Sequence, residues 1–271
     1  MDTSATIRRL TSGIAAMAGC LALNTALLPS ALAETPGISA RQRSEKKVFT
    51  DSQIIDGFMK TAFGAEYHLA GRIDRIRKYQ MPVRIFIDGS ARPDRRKQIG
   101  KVVGDIAKRV QHLDIATTDK RDDANTIVTL VRDRDLQKTI TAFFGAEKAK
   151  EIHDSLDPQC LSGFRKNENY EIQRSDVILT VDNGNFVFLD CAYEELLQSL
   201  GPINDTDTVP WTMFNDQVSM GFFGVYDQYI MNILYDPRIK AGMTVDEVRA
   251  LLPAILPDVR AWIAKVNKLP K

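Results

Sequence analysis

The stretch Cys191-Ala192-Tyr193-Glu194-Glu195-Leu196-Leu197-Gln198-Ser199-Leu200-Gly201-Pro202-Ile203-Asn204-Asp205 decides how this chain is read. On a helix, Glu194 and Gln198 are one turn apart and share a face. Gly201 permits a reversal that residues with a Cβ resist, and Pro202 cannot continue the helix. After the reversal, Asn204 can swing back towards the face carrying Glu194 and Gln198. The adjacent Glu194 and Glu195 diverge by about 100° on a helix, so they make a poor acid/base pair across one substrate bond.

This spacing resembles that of the metzincin zinc proteases, H-E-x-x-H-x-x-G-x-x-H, in which a helix face supplies two His and a Gly turn brings in a third. On that pattern Glu194, Gln198 and Asn204 stand at the three ligand places. Glu195 matches the general base, and Gly201 matches the Gly. Downstream, Thr212-Met213-Phe214-Asn215 is similar to the Met-containing turn beneath the metal, with either Met213 or Phe214 in the Met place. Asp227 through Tyr235 is similar to the closing helix. The resemblance implies an α+β fold: a metzincin-like, zincin-like mixed twisted sheet with a long N-terminal helix, an active-site-type helix and a helical C-terminal part.

The chain also resembles a family of Gram-negative bacteria, the domain of unknown function 2927, some of whose members are similar to lipoproteins. Cys191, Glu194, Glu195, Gln198, Leu200-Gly201 and Asn204-Asp205 carry this resemblance, with Phe214-Asn215-Asp216, Leu234-Tyr235-Asp236-Pro237 and Gly242-Met243. It spans roughly residues 50–252 and implies no activity.

The departure from the proteases is chemical. Catalytic zinc needs three protein ligands and an open position, and neutral imidazole suits it well. Here the ligand places hold one carboxylate and two amides, and the three His of the chain, His68, His112 and His153, lie far from the motif in sequence. No metal and no cofactor are therefore expected. Glu194, Glu195, Gln198, Gly201, Asn204 and Asp205 read as a vestigial motif. Its plainest role is a polar helix face bonded to the loop that follows, since buried polar groups need partners.

Working outward, Val83, Ile85 and Ile87 predict a strand that ends at Asp88-Gly89. Ile99, Val102, Val103, Ile106 and Val110 form the apolar stripe of a helix starting near Pro93. Its basic opposite face reads as solvated, because no aromatics interleave with it. Ser52 is the expected cap of a helix through Ile54, Ile55, Phe58, Met59 and Ala62. Strands are expected at 126–131 and 176–181, with helix from Leu136 to Leu156 between them. Asp182-Asn183-Gly184-Asn185 reads as a hairpin turn returning as a strand, Phe186 to Phe188. Helices are expected through Leu200, over 226–235, 243–252 and 257–269.

Arg8 and Arg9, the uncharged run Leu10 to Leu28 and Ala31-Leu32-Ala33 are the three parts of a secretory signal, giving cleavage before Glu34. A membrane anchor is the competing reading, disfavoured by Pro29 and the small-residue end. Met17-Ala18-Gly19-Cys20 offers a third, a lipid anchor through Cys20. Residues 1–33 are thus a signal peptide, 34–50 a flexible lead-in, 51–240 a zincin-like domain and 241–271 C-terminal helices packed on it. Removing 1–33 leaves 34 basic and 34 acidic residues, so no bulk field favours nucleic acid or an anionic membrane. No later run spans a membrane. Cys160 and Cys191 then remain, and export predicts a bridge between them where a reducing compartment would leave two buried thiols.

The expected function is a non-catalytic pseudo-metalloprotease in the periplasm or outside the cell, binding or scaffolding an envelope protein, peptide or glycan. One alternative is an atypical hydrolase with Glu195 as acid/base. Glu194, Asp205 or Asp216 would assist it, with a hard cation on oxygen ligands. The other is a structural envelope protein.

Overall fold

The computed structural model describes residues 36–63, 74–156, 159–202 and 204–270. The expected export signal with Cys20, and His68, lie outside them. Along the described chain run α1 (Pro36–Ser44), α2 (Asp51–Ala62), β1 (Val83–Asp88), α3 (Arg96–Arg109), β2 (Ile115–Thr117), β3 (Thr126–Val131), α4 (Asp133–Phe144), α5 (Ala146–Leu156), β4 (Cys160–Lys166), β5 (Ile172–Thr180), α6 (Asn185–Gln198), α7 (Val225–Leu234) and α8 (Val245–Asn267). The fold is α+β, as expected.

The strands form one mixed sheet in the order β2-β1-β3-β5-β4. Pairing is parallel from β2 through β5, and β4 returns antiparallel along β5 as an edge. The pleat sends successive side chains of β5 to opposite faces. Val177 and Leu179 join the large core with α2, α3, α6, α7 and α8, and Ile178 joins a small one with Leu136 and Ile140 of α4 and Ile152 of α5. Helices thus cover both faces of the sheet. Every residue of α7 is buried, which makes it the central helix of the larger layer.

Several local expectations are corrected. The lead-in holds helix α1, and Ile38 and Phe49 are each only 3% exposed, because both anchor apolar side chains in the folded domain. The cap of α2 is Thr50, whose hydroxyl accepts from Gln53 N while Gln53 closes the reciprocal bond. The long helix expected over 136–156 breaks into α4 and α5 at Gly145, where φ is +85°. Strands β2 and β4 had no alternating apolar signal long enough to be read.

The expected hairpin at 182–185 is a strand-to-helix loop. Asp182 Oδ1 accepts from Asp133 N, and Asn185 Oδ1 accepts from Arg95 Nη1 and Gln98 Nε2, so these turn residues tie to neighbouring helices. Phe188, Ala192 and Leu196 are buried at helical spacing, and this stripe overrides the β preference of Phe186-Val187-Phe188. The two expected C-terminal helices are one, α8, with Pro253 and Pro257 inside it. Leu252, Ile255, Leu256, Val259 and Ile263 bury one continuous stripe across both prolines, which offsets the two missing N–H groups.

Candidate functional site

Helix α6 rises from the sheet carrying Glu194, Glu195 and Gln198. A disulfide joins Cys191, one turn ahead of them, to Cys160 at the start of edge strand β4, with Cα atoms 5.9 Å apart. The expected pairing is therefore present, and it closes a loop worth ~3–4 kcal/mol in the chain-entropy model.

The reversal after α6 needs its glycine. Gly201 has φ +142°, and a Cβ there would lie 2.3 Å from Arg77 O and 2.9 Å from Leu234 Cδ2. The chain then turns back, and its polar side chains find partners. Gln198 Nε2 donates to Asp205 Oδ1 at 2.7 Å. Asn204 Nδ2 donates to Lys60 O at 2.6 Å and to Asp205 O, and its backbone N donates to Thr61 O. The last carbonyls of α2, which lack helical partners, are satisfied in this way. Gln198 and Asn204, two of the three residues expected at ligand places, are thus engaged in internal hydrogen bonds.

The segment Thr212–Asn215 lies buried against the start of α7. Asp227 Oδ1 accepts from Thr212 Oγ1 at 2.5 Å and Asp227 Oδ2 from Met213 N at 3.2 Å. Asn215 Nδ2 donates to Val209 O. Both Met213 and Phe214 are buried, at 1% and 0% exposure, so both pack into the core.

This turn delivers Asp216 to Glu194. One carboxylate oxygen from each of Glu194, Asp205 and Asp216 lies within 4.8 Å of the other two. Burial, then Glu195, Asp205, Asp190 and Asp216, push Glu194 well above the ordinary carboxylate range. Burial pushes Glu195 up to about 8, aided by Asp205 and Asp216. Ser162 Oγ on β4 is near enough to temper that rise, yet it makes no hydrogen bond of good geometry. Glu195 Oε2 has no hydrogen-bond partner among the described residues.

Beside this cluster opens a cleft of about 830 Å³. Asp56, Asp74, Asp205, Asp207 and Asp216 line it, with Lys60 and Arg249 as its basic residues. The structure therefore brings together Glu194, Asp205 and Asp216, places Glu195 beside them, and turns Gln198 and Asn204 to structural use. Sequence reasoning missed Asp190, whose Oδ1 accepts from Met220 N and Gly221 N, and Ser162. Neither sits in a spacing that announces a site. His112 and His153 lie outside the cluster and its cleft. No helix of the described residues is long and apolar enough to cross a membrane.

No curated protein and no solved structure matches the chain significantly. Residues 51–254 match the model of a family described as "Protein of unknown function (DUF2927)", a span that takes in α2 through the first part of α8 and every residue of the acidic cluster. The chain belongs to that family.

Proposed function

We propose that this is an exported envelope protein of a Gram-negative bacterium, a zincin-type domain that has lost its zinc and whose acidic cleft binds a peptide or glycan without cutting it. The observation that carries the reading is the fate of the ligand places. Gln198 and Asn204 spend their amide groups on Asp205 and on the end of α2, so hydrogen bonds hold the post-helix loop where a metal would. The mixed sheet with an antiparallel edge, the helix with a Gly reversal and the buried turn under it support the zincin comparison.

Elemental analysis and a peptide-hydrolysis assay on the purified protein test it. The expected result is less than stoichiometric zinc and no cleavage. Stoichiometric zinc that disappears in Glu194→Ala overturns it. The zincin geometry has its own test. Glu194→His with Gln198→His and Asn204→His should create zinc affinity, and a well-folded triple variant that binds none removes the zincin backbone from the reading. Export predicts an intact mass beginning at Glu34; a lipid-modified Cys20 would replace soluble export with a lipid anchor.

A second reading, a hydrolase with Glu195 as acid/base, is favoured by one observation: its carboxyl is enclosed and held up to about 8, the condition a general acid needs near neutral pH. Screening peptide and glycan substrates with wild type and Glu195→Gln separates the two. Turnover that Glu195→Gln abolishes establishes the enzyme.

A further inference from the structure

A second cavity, of about 550 Å³, opens between the turn after α3, the end of α7 and the second half of α8. It shares no residue with the acidic cleft. We infer that it is a binding site for a neutral saccharide, which lays a sugar ring against Trp262.

The walls are held before any ligand arrives. Trp262 Nε1 donates to Arg109 O at 2.8 Å, and Asn232 Nδ2 donates to the same carbonyl at 3.0 Å. Asn232 Oδ1 accepts from Gln111 N at 2.8 Å, which ties the turn after α3 to α7. Arg238 donates Nε and Nη2 to Asp236 and Nη2 also to Asp258, so α8 is fixed to the end of α7. Side chains that are already ordered lose little freedom when a ligand binds.

Three further groups on the cavity have no such partner. The side-chain amide of Gln111, the imidazole of His112 and the ammonium of Lys265 make no hydrogen bond among the described residues. Lys265 Nζ only lies over the Trp262 ring, 5.5 Å from its centroid. His112 is exposed and has φ +65°, a conformation that costs free energy for a residue with a Cβ, though His tolerates it better than most. The turn keeps a side chain where a glycine would relieve the backbone.

The chemical class of the ligand follows from what lines the cavity. Asp236 and Asp258 are set against Arg238 and Lys265, two carboxylates against two cations, which matches a neutral ligand better than an ion of either sign. The unbonded groups include donors and acceptors together. A saccharide hydroxyl is both at once, so it can use them in pairs. Half-buried Trp262 adds a fixed apolar surface for the C–H face of a sugar ring. The volume falls within the ~300–1,000 Å³ of small-molecule pockets. Asp258, Trp262 and Lys265 lie beyond residue 254, so the wall that α8 supplies is outside the family match.

Trp262 provides the readout. The chain has two tryptophans, and Trp211→Phe leaves Trp262 as the remaining one. This variant is titrated with glucose, galactose, mannose, N-acetylglucosamine, cellobiose, lactose and N,N′-diacetylchitobiose, and with glucuronate and inorganic phosphate as charged counterparts. A saturable change in Trp262 fluorescence is expected with at least one neutral sugar, at a Kd of about 1 mM or tighter, and calorimetry on wild type should give the same value. His112→Asn keeps a residue that accepts positive φ, and Gln111→Ala keeps the backbone donor to Asn232. Each should weaken the sugar about 5-fold or more while circular dichroism shows an intact fold. Failure of every neutral sugar to reach that affinity overturns the inference, as does binding of glucuronate or phosphate alone, which would make the cavity an anion site. Unchanged affinity in both His112→Asn and Gln111→Ala overturns it too; if Asp207→Asn weakens the sugar instead, the sugar lies in the acidic cleft of the function proposed above.

Discussion

Asp227 and Glu195 are two enclosed carboxyls in the same layer of helices, and they are treated differently. Asp227 opens α7 and receives Thr212 Oγ1 and Met213 N, one donor on each oxygen. Glu195, on α6, has an oxygen without a donor and two aspartates for company. Burial pushes both up, Asp227 to about 7 and Glu195 to about 8, and the donors at Asp227 oppose the rise. The contrast separates scaffold from site. A buried carboxyl with its full set of donors fixes a turn, while one left short of donors stores a preference for a proton, a cation or a ligand.

The largest effect expected from this comparison is that of Asp227→Ala. It leaves Thr212 Oγ1 and Met213 N without their acceptor in a fully enclosed place, and should cost about 3–5 kcal/mol in urea unfolding. A loss below about 1 kcal/mol would break the assignment of Asp227 to the scaffold. Next comes the Cys160–Cys191 bridge, which pins α6 to β4. The double variant Cys160→Ser, Cys191→Ser should lose about 3 kcal/mol, with Glu194 and Glu195 more accessible to carboxyl-modifying reagents.

Glu195→Gln sharpens the other side of the comparison. The folded protein holds the Glu195 proton up to about pH 8, whereas the unfolded chain releases it near 4.5. The folded state therefore binds more protons between those values. The Glu195 contribution to stability is full below about 4.5 and declines as pH rises towards 8. In EDTA, unfolding free energy should fall from pH 5 to pH 8 in wild type and fall less in Glu195→Gln, by about 1–3 kcal/mol. Identical profiles would refute the placement of an ionisable, donor-poor group there. The smallest effect is that of Asn204→Ala, about 1–2 kcal/mol, from the bond to Lys60 O. A loss of ligand binding without that loss of stability would show that Asn204 serves the site rather than the loop.

Much of the framework was legible because periodicity is local. The bounds of β3, the apolar stripe of α3 and the end of α6 at the Gly201 reversal all follow from patterns within a dozen residues. What failed was decided at long range. Asp182 and Asn185 have turn chemistry, but their bonds go to Asp133 and to Arg95 and Gln98, which no local window contains. The prolines of α8 gave two helices because the burial that holds them in one comes from the rest of the core. The site was legible in part. Helical spacing put Glu194 and Gln198 on one face, yet their fates diverged, since Gln198 found Asp205 and Glu194 found four negative neighbours. Asp216 stands 22 residues beyond Glu194, and only the turn tied down by Asp227 brings the two together.

Helix α8 has a consequence for cooperativity. The family match ends at residue 254, midway along a helix that continues to Asn267. Beyond that boundary, Ile255, Leu256, Val259 and Ile263 belong to the same apolar cluster as β1, α3 and α7. The extended segment before β1 is stitched to the turn that leads into α8, with Ile76 N donating to Met243 O and Gly242 N to Ile76 O. Buried Lys78 then closes the end of α7 by donating to Leu234 O and Ile239 O. The residues beyond the family boundary are therefore part of the same core as the sheet. A protein cut at the family boundary would expose the floor of its own core, so the unit of folding is longer than the unit of sequence kinship.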